Sequence, residues 1–186
     1  MGENNKKTAT ELYRGQKGIP SGSWKRWYTT MDEKACADCT ENNGKIYRMD
    51  EVPSPKPPLH PHCRCTLDAI EAIMAGTASI DGIMGADWFL KFQHTLPRGY
   101  LSFEEAKELG WVSWKGNLAE VAPDMKIGGD VYFNKDNKLP GNNGRIWYEA
   151  DINYVEGYRG DARMLYSNDG LLFVTYDHCK TFMEIV

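Results

Sequence analysis

The stretch RIWYEADINYVEGYRGDAR, Arg145–Arg163, constrains the fold more than any other part of the chain. Its alternation from Trp147 to Asn153 predicts a strand, because successive side chains of a strand point to opposite faces of a sheet. That alternation places Glu149 on one face with Trp147, Asp151 and Asn153. The second half of the chain is therefore predicted to contain a sheet with a carboxylate on a polar face.

Turn signals ending at Tyr158 and Gly170 predict two further strands in an antiparallel meander. Such a meander would bring to one end of the sheet Glu149, Arg159, Arg163 and His178. Cleavage of a phosphodiester needs a proton acceptor, a proton donor and cations for the phosphoryl charge. Arginine suits the last task because its fork pairs two phosphate oxygens. Judged on spacing alone, a surface carboxylate with ordinary ion-pair partners and a turn histidine fits equally well.

Helical patterns precede this sheet. An amphipathic helix is predicted over Ala86–Phe92, and Ser102 is a good N-cap for a second helix with acidic residues in its first turn. Helices on one face of a sheet give an α+β fold. The predicted core consists of Leu118, Val121, Ile127, Val131, Trp147, Leu165, Leu172 and Phe182.

Four segments of the second half carry a specific resemblance. They are GWVSWKGNLAEVAP from Gly110, IGGDVYFNKDNKLPG from Ile127, GRIWYEADINY from Gly144 and TYDHCKTF from Thr175. From about residue 86 to 186, without an evident gap, the chain closely resembles the barnase family of microbial guanyl-preferring ribonucleases. The resemblance implies N-terminal helices on a twisted antiparallel sheet.

The resemblance also implies an activity and a set of residues. The activity is cleavage of single-stranded RNA by metal-independent transphosphorylation to a 2′,3′-cyclic phosphate, followed by slower hydrolysis. Glu149 matches the general base of the family and His178 its general acid. Arg159 and Arg163 match the arginines that bind the scissile phosphate, and Lys115 matches a lysine near the catalytic carboxylate. No cofactor is implied for catalysis.

The chain departs from the family at three places. Phe103 stands where the family has a lysine near the phosphate, so one cation of the site is missing. In the base-reading loop, Lys135 replaces an arginine and Asp136 a glutamate; the loop consists of Phe133, Asn134, Lys135 and Asp136. Cys179 replaces the aromatic residue after the catalytic histidine. Since lysine lacks the planar fork of arginine, we expect a working site that is slower or less selective.

Four of the five cysteines lie within positions 36–65, in a C-x-x-C pair and in HPHCRC, separated by a proline-rich spacer. Two closely spaced pairs of soft ligands suit a structural, tetrahedral zinc ion. The predicted ligands are Cys36, Cys39, Cys63 and Cys65, with His60 or His62 as a substitute for one. Disulfides are the alternative. A catalytic zinc is disfavoured, because four protein ligands leave no open position.

The segments WYTTMDEKACADC and LHPHCRC are similar to the end of the phage Mu F-like head-morphogenesis family, over about residues 24–67. The predicted organisation is an N-terminal Mu F-like or zinc-knuckle-like module (1–67), a helix and linker (68–85) and a ribonuclease domain (86–186). The helix is expected because Ala69, Ile70, Ile73 and Met74 recur at helical spacing.

This likeness implies the C-terminal part of a phage-derived polymorphic toxin. The alternatives are an inactive RNA-binding or protein-binding phage head protein, and a free-standing enzyme with a zinc-knuckle appendage. A toxic ribonuclease would threaten its own maker, so we expect an acidic barstar-like immunity protein as a partner.

Composition and charge limit how RNA could bind. Residues 86–186 carry 11 basic and 15 acidic side chains, a net charge of −4, so the cations must be focused in a cleft. No apolar run approaches the ~20 residues that cross a membrane. Met1–Lys7 shows no apolar signal core. We therefore expect a monomer that is made in the bacterial cytoplasm and delivered to act in the cytoplasm of a target cell.

Overall fold

The computed structural model describes residues 24–186. Contacts divide this part of the chain into two compact units, residues 24–72 and residues 73–186. The predictions made for residues 1–23, which form the start of the N-terminal module and include the expected absence of a signal core, lie outside the described residues. No helix within residues 24–186 has the length and apolar character needed to cross a membrane.

Residues 24–72 form a three-stranded antiparallel sheet and one short helix. The strands are β1 (Trp24–Tyr28), β2 (Ile46–Arg48) and β3 (Thr66–Ile70), in the order β2-β1-β3. Helix α1 (Ala37–Asn42) is N-capped by the thiol of Cys36, which accepts a hydrogen bond from the backbone N–H of Cys39. Trp27 is fully buried and forms the apolar centre of the unit.

The helix predicted within residues 68–85 is wrong. Residues 66–70 form β3, which pairs with β1 along its whole length, and the next residues form β4 (Ala72–Ile73). The helical element of this stretch is a single 3-10 turn, Gly82–Met84. Four apolar residues at helical spacing make a marginal helix, and tertiary pairing outweighs so weak a preference. Leu67 lies opposite the buried Trp27 in the ladder, and this apolar pairing stabilises the strand conformation.

The second unit is built on a seven-stranded sheet in the order β4-β10-β9-β8-β7-β6-β5. Its other strands are β5 (Tyr100–Leu101), β6 (Lys126–Tyr132), β7 (Trp147–Asp151), β8 (Arg163–Ser167), β9 (Leu172–Thr175) and β10 (Met183–Ile185). Strands β6 to β10 pair in antiparallel fashion, and the short β5 runs parallel to β6. The expected meander of three strands corresponds to β7, β8 and β9.

Three helices accompany this sheet: α2 (Ala86–Gln93), α3 (Phe103–Glu108) and α4 (Leu118–Val121). Ser102 caps α3 as predicted, in a capping box with Glu105. Leu90 of α2 packs with Ala150 and Val174 in one core cluster, and a second cluster joins α3 and α4 to Ile127. The α+β fold class is confirmed.

The prediction that Val131 lies in the core is wrong, because its side chain is about half exposed. Strand β6 contains a β-bulge between Gly128 and Asp130, with Gly129 at a φ of +98°. The extra residue reverses the alternation, so Val131 does not share the face of the buried Ile127. The same bulge places Asp130 directly opposite Glu149.

Candidate active site

Glu149 lies in the middle of β7, on the face that also carries Trp147 and Asp151. Its carboxylate is 25% exposed, so solvent reaches it but surrounds it only partly. The predicted polar face ends at Asp151. Asn153 lies beyond the strand at a φ of +59°, and its side chain accepts a hydrogen bond from the backbone N–H of Ile80.

Arg163 reaches Glu149 across the β7–β8 ladder. Its Nε lies 3.6 Å from a carboxylate oxygen of Glu149 and 3.4 Å from one of Asp151. Its Nη1 donates to the backbone oxygen of Gly160 at 2.7 Å. Arg163 is buried, so these contacts hold its guanidinium in one place between two carboxylates.

Arg159 is anchored by the buried carboxylate of Asp151. Its Nε and Nη2 donate to the two carboxylate oxygens at 2.6 and 2.8 Å, a bidentate pair. The face of the same guanidinium lies 5.4 Å from the ring centroid of Phe103 and 6.0 Å from that of Trp111. Within residues 24–186 its Nη1 has no hydrogen-bond partner. Arg159 therefore keeps its Nη1 amino group for an external anion.

Phe103 thus adds an aromatic contact where the resemblance implies a missing cation. Its ring meets Trp111 edge to face at 4.8 Å, and its backbone N–H donates to the carboxylate of Asp130. A guanidinium over an aromatic face is stabilised by about 0.5–2 kcal/mol, depending on its exposure. The substitution removes the positive charge of a lysine, but the ring of Phe103 helps to hold the charged guanidinium of Arg159.

The surroundings of Glu149 raise the pKa of its carboxyl group above the ordinary value. Burial is the largest cause. The nearby Arg163 and Arg159 oppose the rise, and the carboxylates of Asp151 and Asp130 add to it. A carboxyl group whose pKa moves toward the working pH can both take and return a proton efficiently.

His178 is displayed on a turn after β9. Its side chain is 67% exposed, its Nδ1 lies 3.5 Å from a carboxylate oxygen of Asp161, and its backbone N–H donates to the backbone oxygen of Asp161. His178 and Cys179 both adopt left-handed backbone conformations, which non-glycine residues rarely adopt and which cluster at functional sites.

Asp177 fixes the shape of this turn. Its carboxylate accepts hydrogen bonds from the hydroxyls of Thr175 and Thr181 and from the backbone N–H groups of Lys180 and Thr181. Partial burial opposes its ionisation, but the bonds from Thr181 hold the pKa of Asp177 below the ordinary value. Burial raises the pKa of the Cys179 thiol, which disfavours the nucleophilic thiolate form.

Lys115 ends a 3-10 helix, Ser113–Lys115, and its Nζ lies 5.3 Å from the ring centroid of the preceding Trp114. It forms no ion pair with any residue of the described chain, Glu149 included. Of the five predicted catalytic residues, the structure therefore brings Glu149, Arg163 and Arg159 into one network. It places His178 on a turn against Asp161 and leaves Lys115 on a separate loop.

The predicted base-reading loop follows β6 and borders a groove of about 280 Å³. Asn134 shapes the loop, because its side chain hydrogen-bonds both the backbone N–H and the backbone oxygen of Leu139. Phe133 is exposed, and Lys135 lies over its ring at 5.8 Å. Asp136 is 3.9 Å from Lys138. A larger groove of about 500 Å³, which includes His94 and Tyr166, contains none of the predicted site residues.

The cysteines of the first unit converge as the spacing predicts. The potential ligand atoms form two overlapping sets, and within each set all atoms lie within 4.8 Å of one another. One set is Cys36, Cys39 and His60, and the other is Cys39, Cys63 and Cys65. His62 is in neither of these sets. All four cysteines are free thiols. The cluster could hold a metal ion.

Comparison with known proteins gives the family of each part of the chain. Residues 90–186 match the family model described as ribonuclease, and residues 3–68 match the model for phage Mu protein F like protein. A ribonuclease from Heyndrickxia coagulans is 49% identical over 107 residues, which are 58% of this chain and 95% of that protein. The chain belongs to the ribonuclease family.

Ribonucleases from Bacillus intermedius and Bacillus pumilus are also 49% identical over 107 residues, which cover 64% of each of those proteins. The second unit is thus an endoribonuclease domain, and its substrate is RNA. Residues 24–68 of the first unit lie within the segment similar to the phage Mu F-like family.

Sequence reasoning missed the acidic residues that position the site. Asp151 stood on the predicted face of Glu149, but alternation alone does not reveal that it would be 1% exposed and bound to Arg159. Asp161 and Asp130 carried no signal of their own, because their contacts depend on a turn and on a β-bulge. Asp177 had one usable signal: Thr181 follows it after three intervening residues, a spacing typical of a capped turn.

Proposed function

We propose that the ribonuclease domain cleaves single-stranded RNA by transphosphorylation, with Glu149 as general base and His178 as general acid. The observation that carries the proposal is a partly buried carboxylate with a raised pKa, 3.6 Å from the guanidinium of Arg163. Glu149 would take the proton of the ribose 2′-hydroxyl, whose oxygen then attacks phosphorus. His178 would protonate the departing 5′-oxygen, and a 2′,3′-cyclic phosphate results.

Arg159 and Arg163 would bind the scissile phosphate. Asp151 occupies two donors of Arg159, which directs the free Nη1 toward an anionic oxygen. Two prearranged guanidinium groups stabilise the charge that develops on the phosphoryl oxygens without having to reorganise during the reaction. In the slower hydrolysis of the cyclic phosphate, Glu149 and His178 would exchange roles.

Asp161 supports the proposed role of His178. A carboxylate next to Nδ1 favours the tautomer and orientation in which Nε2 faces the substrate. The exposed position of the ring leaves room for a leaving nucleotide.

The test is cleavage of a short single-stranded RNA by the full chain in EDTA, with product ends analysed for a 2′,3′-cyclic phosphate. Glu149→Ala and His178→Ala should each lower kcat by about 10²–10⁴-fold, the usual contribution of a general acid or base. Glu104→Ala removes an exposed carboxylate of α3 and serves as the control. Full activity in either site variant, or loss of wild-type activity in EDTA, would refute the mechanism.

A folded but inert wild type would favour the alternative, an RNA-binding or protein-binding phage head protein. We propose a reduced guanine preference on the basis of Lys135 and Asp136, and Lys115 remains a proposed contributor to the site through its match to the family.

We propose that the cysteine cluster binds a structural zinc ion through Cys36, Cys39, Cys63 and Cys65, with His60 able to take the place of one thiol. Nε2 of His60 lies 3.3 Å from both the Cys36 and the Cys39 sulfur, and the sulfurs of Cys39 and Cys63 are 3.7 Å apart. A tetrahedral zinc ion, with bonds of about 2.3 Å to sulfur and about 2.0 Å to nitrogen, holds its ligand atoms about 3.5–3.8 Å apart.

The surroundings of the cluster fit this ligand set. Nδ1 of His60 lies 2.9 Å from the backbone oxygen of Pro61, which suits the tautomer that leaves Nε2 free for a metal. Cys65, which lies with Cys39 and Cys63 in the second set, is also 3.3 Å from the hydroxyl of Thr29. The ion would stabilise the fold, because four protein ligands close the site.

Metal content and thermal unfolding of the full chain test the zinc proposal. His60→Ala should lower both the zinc content and the melting temperature, whereas His62→Ala, two positions away, serves as the matched control. Cys65→Ser distinguishes the two overlapping ligand sets: retained zinc would give the fourth position to His60, and lost zinc would give it to Cys65. Equal zinc loss in the His60 and His62 variants, or none in either, would rule out His60 as a ligand.

We further propose that residues 1–67 are a phage-derived carrier module and that residues 86–186 are the toxic domain, joined by residues 68–85. The similarity of residues 3–68 to the phage Mu F-like family supports this order. The chain would be made in the bacterial cytoplasm, delivered as a monomer to a target cell and neutralised in the producer by an acidic immunity protein.

Expression in bacteria tests the toxin proposal. The wild-type chain should arrest growth, Glu149→Ala should not, and co-expression of an acidic barstar-like protein should restore growth. Growth arrest by the inactive variant as well would show that the toxicity does not come from RNA cleavage.

A further inference from the structure

Two large aromatic side chains stand exposed on adjoining loops of the ribonuclease domain. Trp114 is 72% exposed and Tyr158 is 70% exposed. Trp114 lies in the 3-10 helix after α3, and Tyr158 directly precedes Arg159 in the loop between β7 and β8. The proposed mechanism uses neither side chain.

The backbone fixes these loops to each other. Asn117 forms an isolated parallel β-bridge with Gly157. Gly116 adopts a φ of +64° and lies so close to the other loop that a Cβ there would be 2.9 Å from the carbonyl carbon of Gly157 and 3.0 Å from the nitrogen of Tyr158. Only glycine allows this approach. The loop of Trp114 therefore abuts the segment that leads into Arg159.

Side-chain hydrogen bonds make the Trp114 loop rigid. The amide oxygen of Asn117 accepts from the backbone N–H of Val112 at 2.8 Å, and its Nδ2 donates to the backbone oxygen of Gly110 at 3.1 Å. An exposed aromatic ring on a rigid loop loses little conformational entropy when a ligand covers it.

Positive charge accompanies both rings. The ammonium group of Lys115 lies 5.3 Å from the ring centroid of Trp114, and the guanidinium of Arg159 follows Tyr158 in sequence. Aromatic rings beside cations suit single-stranded nucleic acid, since the rings stack on bases while the cations attract the phosphates.

We infer that Trp114 and Tyr158 form a stacking subsite for a base of single-stranded RNA that flanks the cleaved nucleotides. The inference rests on the proposed function, because Arg159 places the scissile phosphate beside Tyr158. It adds a determinant of substrate length to the site. A dinucleotide fills the reacting positions alone, whereas a longer strand would also cover the aromatic rings.

The test compares kcat/KM for a dinucleotide with kcat/KM for the same dinucleotide extended by two nucleotides, at either the 5′ or the 3′ end. The extended-to-dinucleotide ratio should fall in Trp114→Ala by about 5- to 150-fold, which corresponds to about 1–3 kcal/mol for one stacked base. The ratio should fall in Tyr158→Ala also, and only for one direction of extension.

Two further variants control the comparison. Trp114→Phe keeps an aromatic face and should retain most of the ratio. Phe92→Ala removes an exposed aromatic side chain of α2 and should leave the ratio at its wild-type value. An unchanged ratio in Trp114→Ala would overturn the subsite and leave this surface for a protein partner.

A single-stranded oligodeoxynucleotide gives a measure of binding without cleavage, because it lacks the attacking 2′-hydroxyl. Its inhibition constant should rise in Trp114→Ala for a tetranucleotide and change less for a dinucleotide. If Glu149→Ala cleaves RNA as fast as the wild type, the proposed function fails. If only the length dependence is missing, the subsite fails and the mechanism stands.

Discussion

Replacing Asp151 with asparagine should strongly destabilise the ribonuclease domain. Asp151 is 1% exposed, and both its carboxylate oxygens accept hydrogen bonds from Arg159, while Arg163 lies 3.4 Å away. Asparagine has nearly the same shape, but it removes the charge and turns an N–H₂ group toward a guanidinium. Removing one partner of a buried ion pair costs about 3–5 kcal/mol, because it leaves the other charge uncompensated.

Urea unfolding of the full chain measures this loss. Hydrogen exchange at the amides of β7 and β8 reports the stability of the ribonuclease domain separately from that of residues 24–72. With a urea m-value of about 2 kcal/mol per molar, a loss of about 3–5 kcal/mol lowers the midpoint by about 1.5–2.5 M. The control is Glu104→Gln, which breaks the exposed Glu104–Lys107 pair and should cost less than about 0.5 kcal/mol. A loss in Asp151→Asn below about 1 kcal/mol would refute the reasoning.

Three further changes have defined outcomes. Burial raises the pKa of Glu149, so the fold disfavours its charged form. Glu149→Gln should therefore raise the free energy of unfolding at pH 7, and this gain should vanish as the pH falls below about 4.3, the ordinary pKa of glutamate. Urea titrations across that pH range measure the gain. Gly128→Ala should cost about 1–3 kcal/mol in the same assay, because a Cβ there would lie 2.7 Å from that of Ala150. Gly141→Ala, with open space around it, should cost nothing. Lys135→Arg should increase the kcat/KM preference for guanine over adenine dinucleotides by at least about fivefold, since it restores a planar fork.

The meander was predictable because each of its signals is local. Alternation in β7, turn residues before β8 and β9 and a serine cap at α3 act within a few residues, and the chain has each of them. Register follows from these signals, which is why Arg163 could be expected near Glu149 and is found 3.6 Å away.

The errors have the opposite origin. Val131 was misplaced by a β-bulge whose only sequence signal is the pair Gly128–Gly129, and glycine pairs have many uses. The helix expected at residues 68–85 does not form, because β3 pairs with β1 instead. These two strands are separated in sequence by the whole cysteine cluster, so no local signal indicates their pairing. The fold determines the contacts of three acidic residues, Asp151, Asp130 and Asp161, so the sequence alone does not reveal their roles.

Those acidic residues explain how a domain with a net charge of −4 can prepare a site for an anion. General attraction of RNA would require many free cations, whereas here Asp151 holds Arg159 through two of its nitrogens and leaves the third nitrogen, Nη1, available. The ring centroids of Phe103 and Trp111 lie 5.4 and 6.0 Å from the central carbon of that guanidinium, and these contacts help to hold it. Asp130, which binds the start of α3 and faces Glu149, adds to the raised pKa of the proposed base. The same carboxylates that make the domain acidic therefore orient its arginines and tune its proton acceptor. In the proposed mechanism, precise placement of two cations would substitute for an excess of them, and Phe103, where the family resemblance implies a lysine, helps to hold one of the two.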